Sequence, residues 1–382
     1  MQQIRVAIIG TAKRSSYMYG PILKALADEV ILVSIWGRRT GAAKELGEFL
    51  GVPWYTDIDT LIAETLPQIG IVCVASQANG EVGIMAVEHG LHVLLETPIA
   101  HKLSEADTII QLARQRGVKV EVAEQFHRRP AEQLKLKLIA SGLFGRVYTS
   151  FNDYAGHGYH GVSVMRSYLG FDAKPVQVVG VSQHSQLTPH WARLEGEFGP
   201  REEIQNHGII NFEGGQIGIF HWTDVGYDSA LRWWRSSRFY AEKGMGIAVG
   251  IGIDVKEQLS LVSPDGHSPQ FMTIEREYER IDGGMLVALV AQTGNPELPM
   301  IRWENPFISV LSGSGIQWHD DEIGVAGCLM SLVNAVRFDS LPTYGPEQAR
   351  IDQEIILALE RSAKENGIPV KLPLDPHECE TM

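Results

Sequence analysis

Between Asn152 and Gly161 the chain reads NDYAGHGYHG, which places Asp153, Tyr154, His157, Tyr159 and His160 in one short stretch. An imidazole with its ordinary pKa of about 6.5 is suited to accept a proton near neutrality. Asp153 is placed to orient such a ring, and His157 or Tyr159 to share the transfer. Three glycines among them let other groups approach closely. The plainer alternative is that His160 caps a helix opening near Val162. His157 and His160 lie three apart, so a metal is also considered. Asp153, His207 or His221 would have to complete it. Nothing in the spacing requires that, and no metal is expected.

A second chemical stretch follows the first apolar run. Arg5–Gly10 reads RVAIIG, and Gly10–Ser15 reads GTAKRS. A dinucleotide fingerprint has small residues at three positions here, and Gly10, Ala12 and Ser15 occupy them. Lys13 and Arg14 add positive charge where a helix N-terminus already favours phosphate. An ordinary strand–helix turn explains the same letters equally well. The next apolar run ends at Trp36 and is followed by Gly37, Arg38 and Arg39. An acid at that point would hold a ribose 2′-hydroxyl, whereas arginines suit a 2′-phosphate, so the pattern leans toward NADP over NAD. A third stretch is LRWWRSSR, Leu231–Arg238. Trp233 can stack on a sugar ring and Arg235 can hold an anion. In a strand, alternation would instead bury one indole on each side of the sheet.

These groups need a scaffold. The first third alternates apolar strands (Arg5–Gly10, Val30–Trp36, Ile69–Val74, His92–Leu95, Val118–Ala123) with helical stretches from Pro21, Ala42, Glu81 and Ser104. Ser104 with Asp107 resembles a capping box. Such alternation predicts a doubly wound parallel sheet, with ligands beyond the carboxyl ends of its strands. From Arg146 the pattern is strand-rich, with expected strands at Val176–Val181, Glu203–Asn211, Gln216–Trp222 and Leu231–Phe239 and a hairpin turn at Glu213–Gly215. Asp320 and Asp321 are expected to cap a helix over Ile323–Val336. The 382 residues imply two domains. A net charge of −13 argues against a nucleic-acid partner. No apolar run suggests a membrane span. Cys73, Cys328 and Cys379 are too few for a disulfide framework, which fits a cytoplasmic protein.

HVLLETPIAHKLSEAD (His92–Asp107) resembles the stretch around the Glu-Lys-Pro motif of the Gfo/Idh/MocA oxidoreductases, reading Glu96-Thr97-Pro98 here. The resemblance extends upstream through VASQANGEVG and downstream through VAEQFHRRP and LIASGLFGRV. HGVSVMRSYLG (His160–Gly170) aligns on the family's catalytic-histidine helix. It implies an α/β architecture: a Rossmann domain over 1–125, then an α+β domain over 126–382 with a large, mostly antiparallel sheet. A terminal helix near 345–366 is expected to pack back toward the first domain. The resemblance further implies NAD or NADP against Ser76, Asn79, Glu96, Thr97, Pro98 and Gln125. His160 would be the general base for oxidising a sugar, cyclitol or glycoside hydroxyl, with Thr97, Tyr154, Trp233 and Arg235 facing substrate. A homodimer or homotetramer through the second sheet is implied.

Two departures stand out: the family lysine is Thr97, and the acid four residues before the histidine is Gly156. Losing one preorganised donor typically costs roughly 10²–10³ in rate. Two alternatives follow. One is a redox-neutral glycosidase working through a keto intermediate. The other is a dinucleotide-binding regulator without catalysis.

Overall fold

The computed structural model describes residues 2–153, 157–193, 196–226, 229–232, 235–250, 256–279, 285–312, 314 and 316–376. Its first sheet contains β1 (Ile4–Ile9), β2 (Val30–Trp36), β3 (Trp54–Tyr55), β4 (Ile69–Val72), β5 (His92–Leu95) and β6 (Val120–Val122). All pair in parallel, in the order β3-β2-β1-β4-β5-β6. The order reverses between β1 and β4, so a crevice opens beyond the carboxyl ends of those two strands. β1 is buried almost throughout because both its faces are covered. Ala7 and Ile9 face α4 (Asn79–Glu88) and α5 (Leu103–Arg116), while Ile4, Val6 and Ile8 face the opposite layer. The remaining helices of this half are α1 (Gly20–Ala25), α2 (Thr40–Leu50) and α3 (Ile58–Thr65). Pro21 sits in the first turn of α1, where its missing N–H costs nothing. No capping box forms at Ser104: α5 already begins at Leu103, and Asp107 instead pairs with Arg350.

The second half opens with α6 (Pro130–Ala140), β7 (Val147–Asp153) and α7 (Gly158–Leu169). β8 (Pro175–Ala192) and β9 (Glu197–Phe212) form a long hairpin, and β10 (Ile217–Thr223) follows a turn with Gly215. β11 (Ser236–Ala241), β12 (Gly244–Val249), β13 (Lys256–Val262) and β14 (Pro269–Phe271) extend the other edge. The strand expected over Leu231–Phe239 starts later, because Ala230–Arg232 forms a 3₁₀ turn instead. Among the described residues the order is β14-β13-β12-β11-β7-β10-β9-β8-β18, with β18 at Val370–Lys371. Only β7 and β10 run parallel, so this sheet is mostly antiparallel. A smaller sheet joins β15 (Thr273–Glu279), β16 (Met285–Gln292) and β17 (Met300–Glu304).

After the short α8 (Ile308–Leu311), two long helices return to the first half. α9 (Asp320–Arg337) lies on the Rossmann sheet: its Val325, Leu329 and Leu332 share a core with Ile4, Ile8 and Ile71. Its N-cap is His319, in a capping box with Glu322, and not Asp320 or Asp321. Those two acids occupy the first turn, where the helix dipole favours them. α10 (Pro346–Lys364) crosses the large sheet, and Arg350 reaches Asp107 of α5. A Cβ at Gly180 of β8 would stand 2.6 Å from the Leu359 carbonyl, so glycine there lets α10 lie against the sheet. Among the described residues no helix is long and apolar enough to cross a membrane.

Candidate active site

The loop after β1 is shaped by one residue. Gly10 has φ +129°, and a Cβ there would stand 2.1 Å from the Cys73 carbonyl oxygen at the end of β4. Only glycine fits, and the chain therefore passes low across the crevice mouth. Ser15 is fully buried, Ala12 half-buried and Lys13 exposed. The small residues leave the approach of a pyrophosphate open. At the end of β2, Gly37 is buried and packs on Thr11, while Arg38 and Arg39 are exposed. Arg38 lies 3.9 Å from Glu81.

Across the crevice, Asn79 donates through Nδ2 to the carbonyls of Glu96 and Pro98, both at 2.9 Å, and so fixes the Glu96-Thr97-Pro98 loop. It does so from complete burial. The Glu96 carboxylate accepts from Arg14 Nε at 2.6 Å and from the Tyr19 hydroxyl at 2.7 Å. Arg14 thus spans from the first loop to the fifth strand. Among the described residues its Nη2 is a buried donor without a protein partner, an arrangement that fits an acceptor oxygen supplied by a ligand. Ser76 contacts His101 at 3.3 Å, and Gln125 is buried beneath α9 where Gly324 packs on it.

His160 does not cap a helix near Val162. α7 begins at Gly158, and the ring projects from its first turn, buried. Phe126 stacks on it at 4.0 Å between centroids, and Tyr159 meets it edge-on at 4.5 Å. His160 Nδ1 lies 2.6 Å from Glu124 Oε2. Burial, then the cations Arg129, Arg14 and Arg235, hold the imidazole well below its usual pKa. Burial raises the Glu124 carboxyl to about 8. His157 lies beside Tyr159 with parallel rings, so the structure brings His157, Tyr159 and His160 together.

Asp153 goes elsewhere. Strand alternation turns it to the sheet face opposite the buried Asn152, and it bonds His221 Nδ1 at 2.6 Å while His207 stacks on His221. Arg235 is buried beside Phe126, 5.6 Å from the ring centroid. Arg129 stacks on Phe126 at 3.9 Å and pairs with Asp321. Tyr154 and Trp233 lie outside the described residues. A cavity of about 210 Å³ opens beside His157 and Tyr159, between Pro98 and His101 on one side and Trp222, Gln353 and Glu360 on the other. Among the described residues no group of three or more His, Cys, Asp or Glu side chains converges as a metal site would. Glu124 and Arg129 were not picked out from the sequence, and Asp321 was expected only as a helix cap. An acid two residues past a strand end was the available signal for Glu124.

Residues 4–124 match the family model described as oxidoreductase family, NAD-binding Rossmann fold. That stretch is the Rossmann domain of the Gfo/Idh/MocA oxidoreductase family. An uncharacterized oxidoreductase of Schizosaccharomyces pombe is 28% identical over 32% of this chain and 34% of its own length. The D-glucoside 3-dehydrogenase of Escherichia coli is 28% identical over 38% of this chain and 42% of its own length. The chain thus matches under half the length of these curated relatives. An NAD-binding oxidoreductase structure from Klebsiella pneumoniae superposes with a TM-score of 0.74, covering 98% of this chain and all of the other at 17% identity, a likeness of fold.

Proposed function

We propose that the protein is an NAD(P)-dependent oxidoreductase that oxidises a hydroxyl-bearing carbon of a sugar, cyclitol or glycoside, with His160 as general base. The observation that carries this reading is the buried His160, facing the crevice loops of a Rossmann sheet. The relationship to D-glucoside 3-dehydrogenase supports the substrate class. The Gly10, Ala12 and Ser15 loop would hold the pyrophosphate, helped by Lys13. Arg38 and Arg39 would meet a 2′-phosphate, which favours NADP. Thr97, Pro98 and Gln125 would bound the nicotinamide end. When bound, that ring accepts the hydride. His160 takes the hydroxyl proton, and the guanidinium of Arg14 supplies the positive donor that Thr97 lacks. Val181, Ile209 and Ile217 on the uncovered sheet face are exposed, which supports self-association of a cytoplasmic homodimer or homotetramer.

The test is turnover by the purified protein with NAD and NADP across sugars, cyclitols and glycosides, read by absorbance of the reduced nicotinamide. His160→Asn should lower kcat by about 10²–10⁴. Tight cofactor binding without any turnover would overturn the reading in favour of a regulator. Cofactor retained through cleavage of a glycoside would favour the redox-neutral route.

A further inference from the structure

Glu124 is held more firmly than a surface acid would be. It follows β6 by two residues, its N–H donates to the Val122 carbonyl at 2.7 Å, and it is 1% exposed. Oε1 accepts the Phe126 N–H at 3.0 Å, and Ser163 of α7 also hydrogen-bonds the carboxylate. Oε2 is left for His160 Nδ1, at 2.6 Å. The imidazole cannot turn away, with Phe126 on one face, Tyr159 at its edge and its backbone in the first turn of α7. Among the described residues, Nε2 makes no hydrogen bond to the protein.

We propose that Glu124 is the positioning residue of His160: its carboxylate holds the tautomer that leaves Nε2 as proton acceptor, and it carries the charge that proton transfer creates. The inference rests on the oxidoreductase reading. In the oxidising direction the substrate O–H bond breaks and Nε2–H forms. The substrate C–H bond breaks with its electron pair, which passes to the nicotinamide, and C=O forms. The product of the proton step is an imidazolium, which Arg129, Arg14 and Arg235 all oppose. A carboxylate 2.6 Å away offsets them. Without it, a desolvated imidazole among three guanidiniums would be too weak a base. The chain carries glycine at 156, so Glu124 comes from the other domain to do what an acid close before the histidine in sequence would do.

Other titratable groups facing the pair are Glu96 from the first domain, His157 at the N-cap of α7 and Tyr159 in its first turn. Below a pH of about 8 the carboxyl keeps its proton and donates it to Nδ1, so Nε2 holds the ring proton and cannot act as base. As pH rises through that value the acceptor form appears. The wild-type kcat/KM should therefore climb along a limb centred near 8.

Glu124→Gln should lower kcat about 10²-fold, change KM less than about 3-fold and abolish that limb, because Glu124 does not touch substrate. Glu124→Asp should restore the limb with part of the rate. A Glu124→Gln enzyme with wild-type kcat per cofactor-loaded site and an unchanged limb would overturn the proposal, even if less protein folds. Nitrogen-15 NMR of histidine-labelled protein, with His160 assigned from His160→Asn, provides a readout that needs no turnover. Above pH 9 the proton should reside on Nδ1 in wild type, and a proton on Nε2 there would overturn the proposal. The expected tautomer in a protein without turnover would sink the oxidoreductase reading instead.

Discussion

Arg166 tests how α7 is held over the crevice. Its guanidinium is fully buried on α7, six residues past His160. It bonds Asp352 and the Gln348 carbonyl and side chain on α10, and the Phe171 carbonyl at 2.9 Å. Tyr344 bonds the other oxygen of Asp352. Arg166→Met keeps the bulk but strands a buried carboxylate, a loss that typically costs about 3–5 kcal/mol. The unfolding entropy of a 382-residue chain is about 0.8 kcal/mol per degree, so Tm should fall by about 4–6 °C. The loss should depend on pH. Burial already lifts the Asp352 carboxyl to about 6 in spite of Arg166, and removing the guanidinium lifts it further. A carboxyl whose folded pKa is raised contributes fully while protonated, and its contribution is lost as pH rises through that value. The variant should therefore lie close to wild type near pH 5 and furthest below it near pH 8. Arg166→Met with Asp352→Leu should recover most of the difference, since an apolar pair carries no desolvation cost. Differential scanning calorimetry at both pH values provides the comparison. A Tm drop below 1 °C at pH 8, or one independent of pH, would refute the reasoning.

Gly10→Ala forces a Cβ into the Cys73 carbonyl and a left-handed φ. Backbone strain alone should cost about 1–3 kcal/mol, read as a lower Tm together with weaker dinucleotide binding by fluorescence titration. Wild-type affinity in that variant would mean the loop does not carry the cofactor. Arg14→Met removes the cation paired with Glu96 and should lower kcat about 10²-fold. A change under 3-fold in steady-state turnover would show that Thr97's missing charge is supplied from elsewhere.

Periodicity told the first half well because parallel strands covered on both sides read as unbroken apolar runs, as in β1 and β5. The second half was legible only as strand-rich. The pairings of β7 with β10 and β11, and of β8 with β18, join strands distant in sequence, and the tryptophan pair at 233 and 234 mimicked a strand where Ala230–Arg232 turns. Ser104 and Asp320 carried capping residue types, yet each falls inside a helix whose first turn was set by other contacts. His160 was found by the match of its helix to a known motif. Glu124 was not, since the bond that gives it a role joins residues 36 apart, and its place two residues past a strand end says nothing of that partner. Asp153 lay next to the histidines in sequence and on the wrong face of the strand, a distinction that one residue of alternation decides.

The way α9 covers the Rossmann sheet has a consequence for biosynthesis. Ile4, Val6, Ile8 and Ile71 share a core with Val325, Leu329 and Leu332, which leave the ribosome roughly 200 residues after the first domain is complete. At about 5–20 residues per second, that interval is about 10–40 s. Throughout it, the part of that flank of the nascent nucleotide-binding half that α9 covers stays bare. Chaperones that shield hydrophobic surface during translation, more than those acting after release, should govern the yield of active protein.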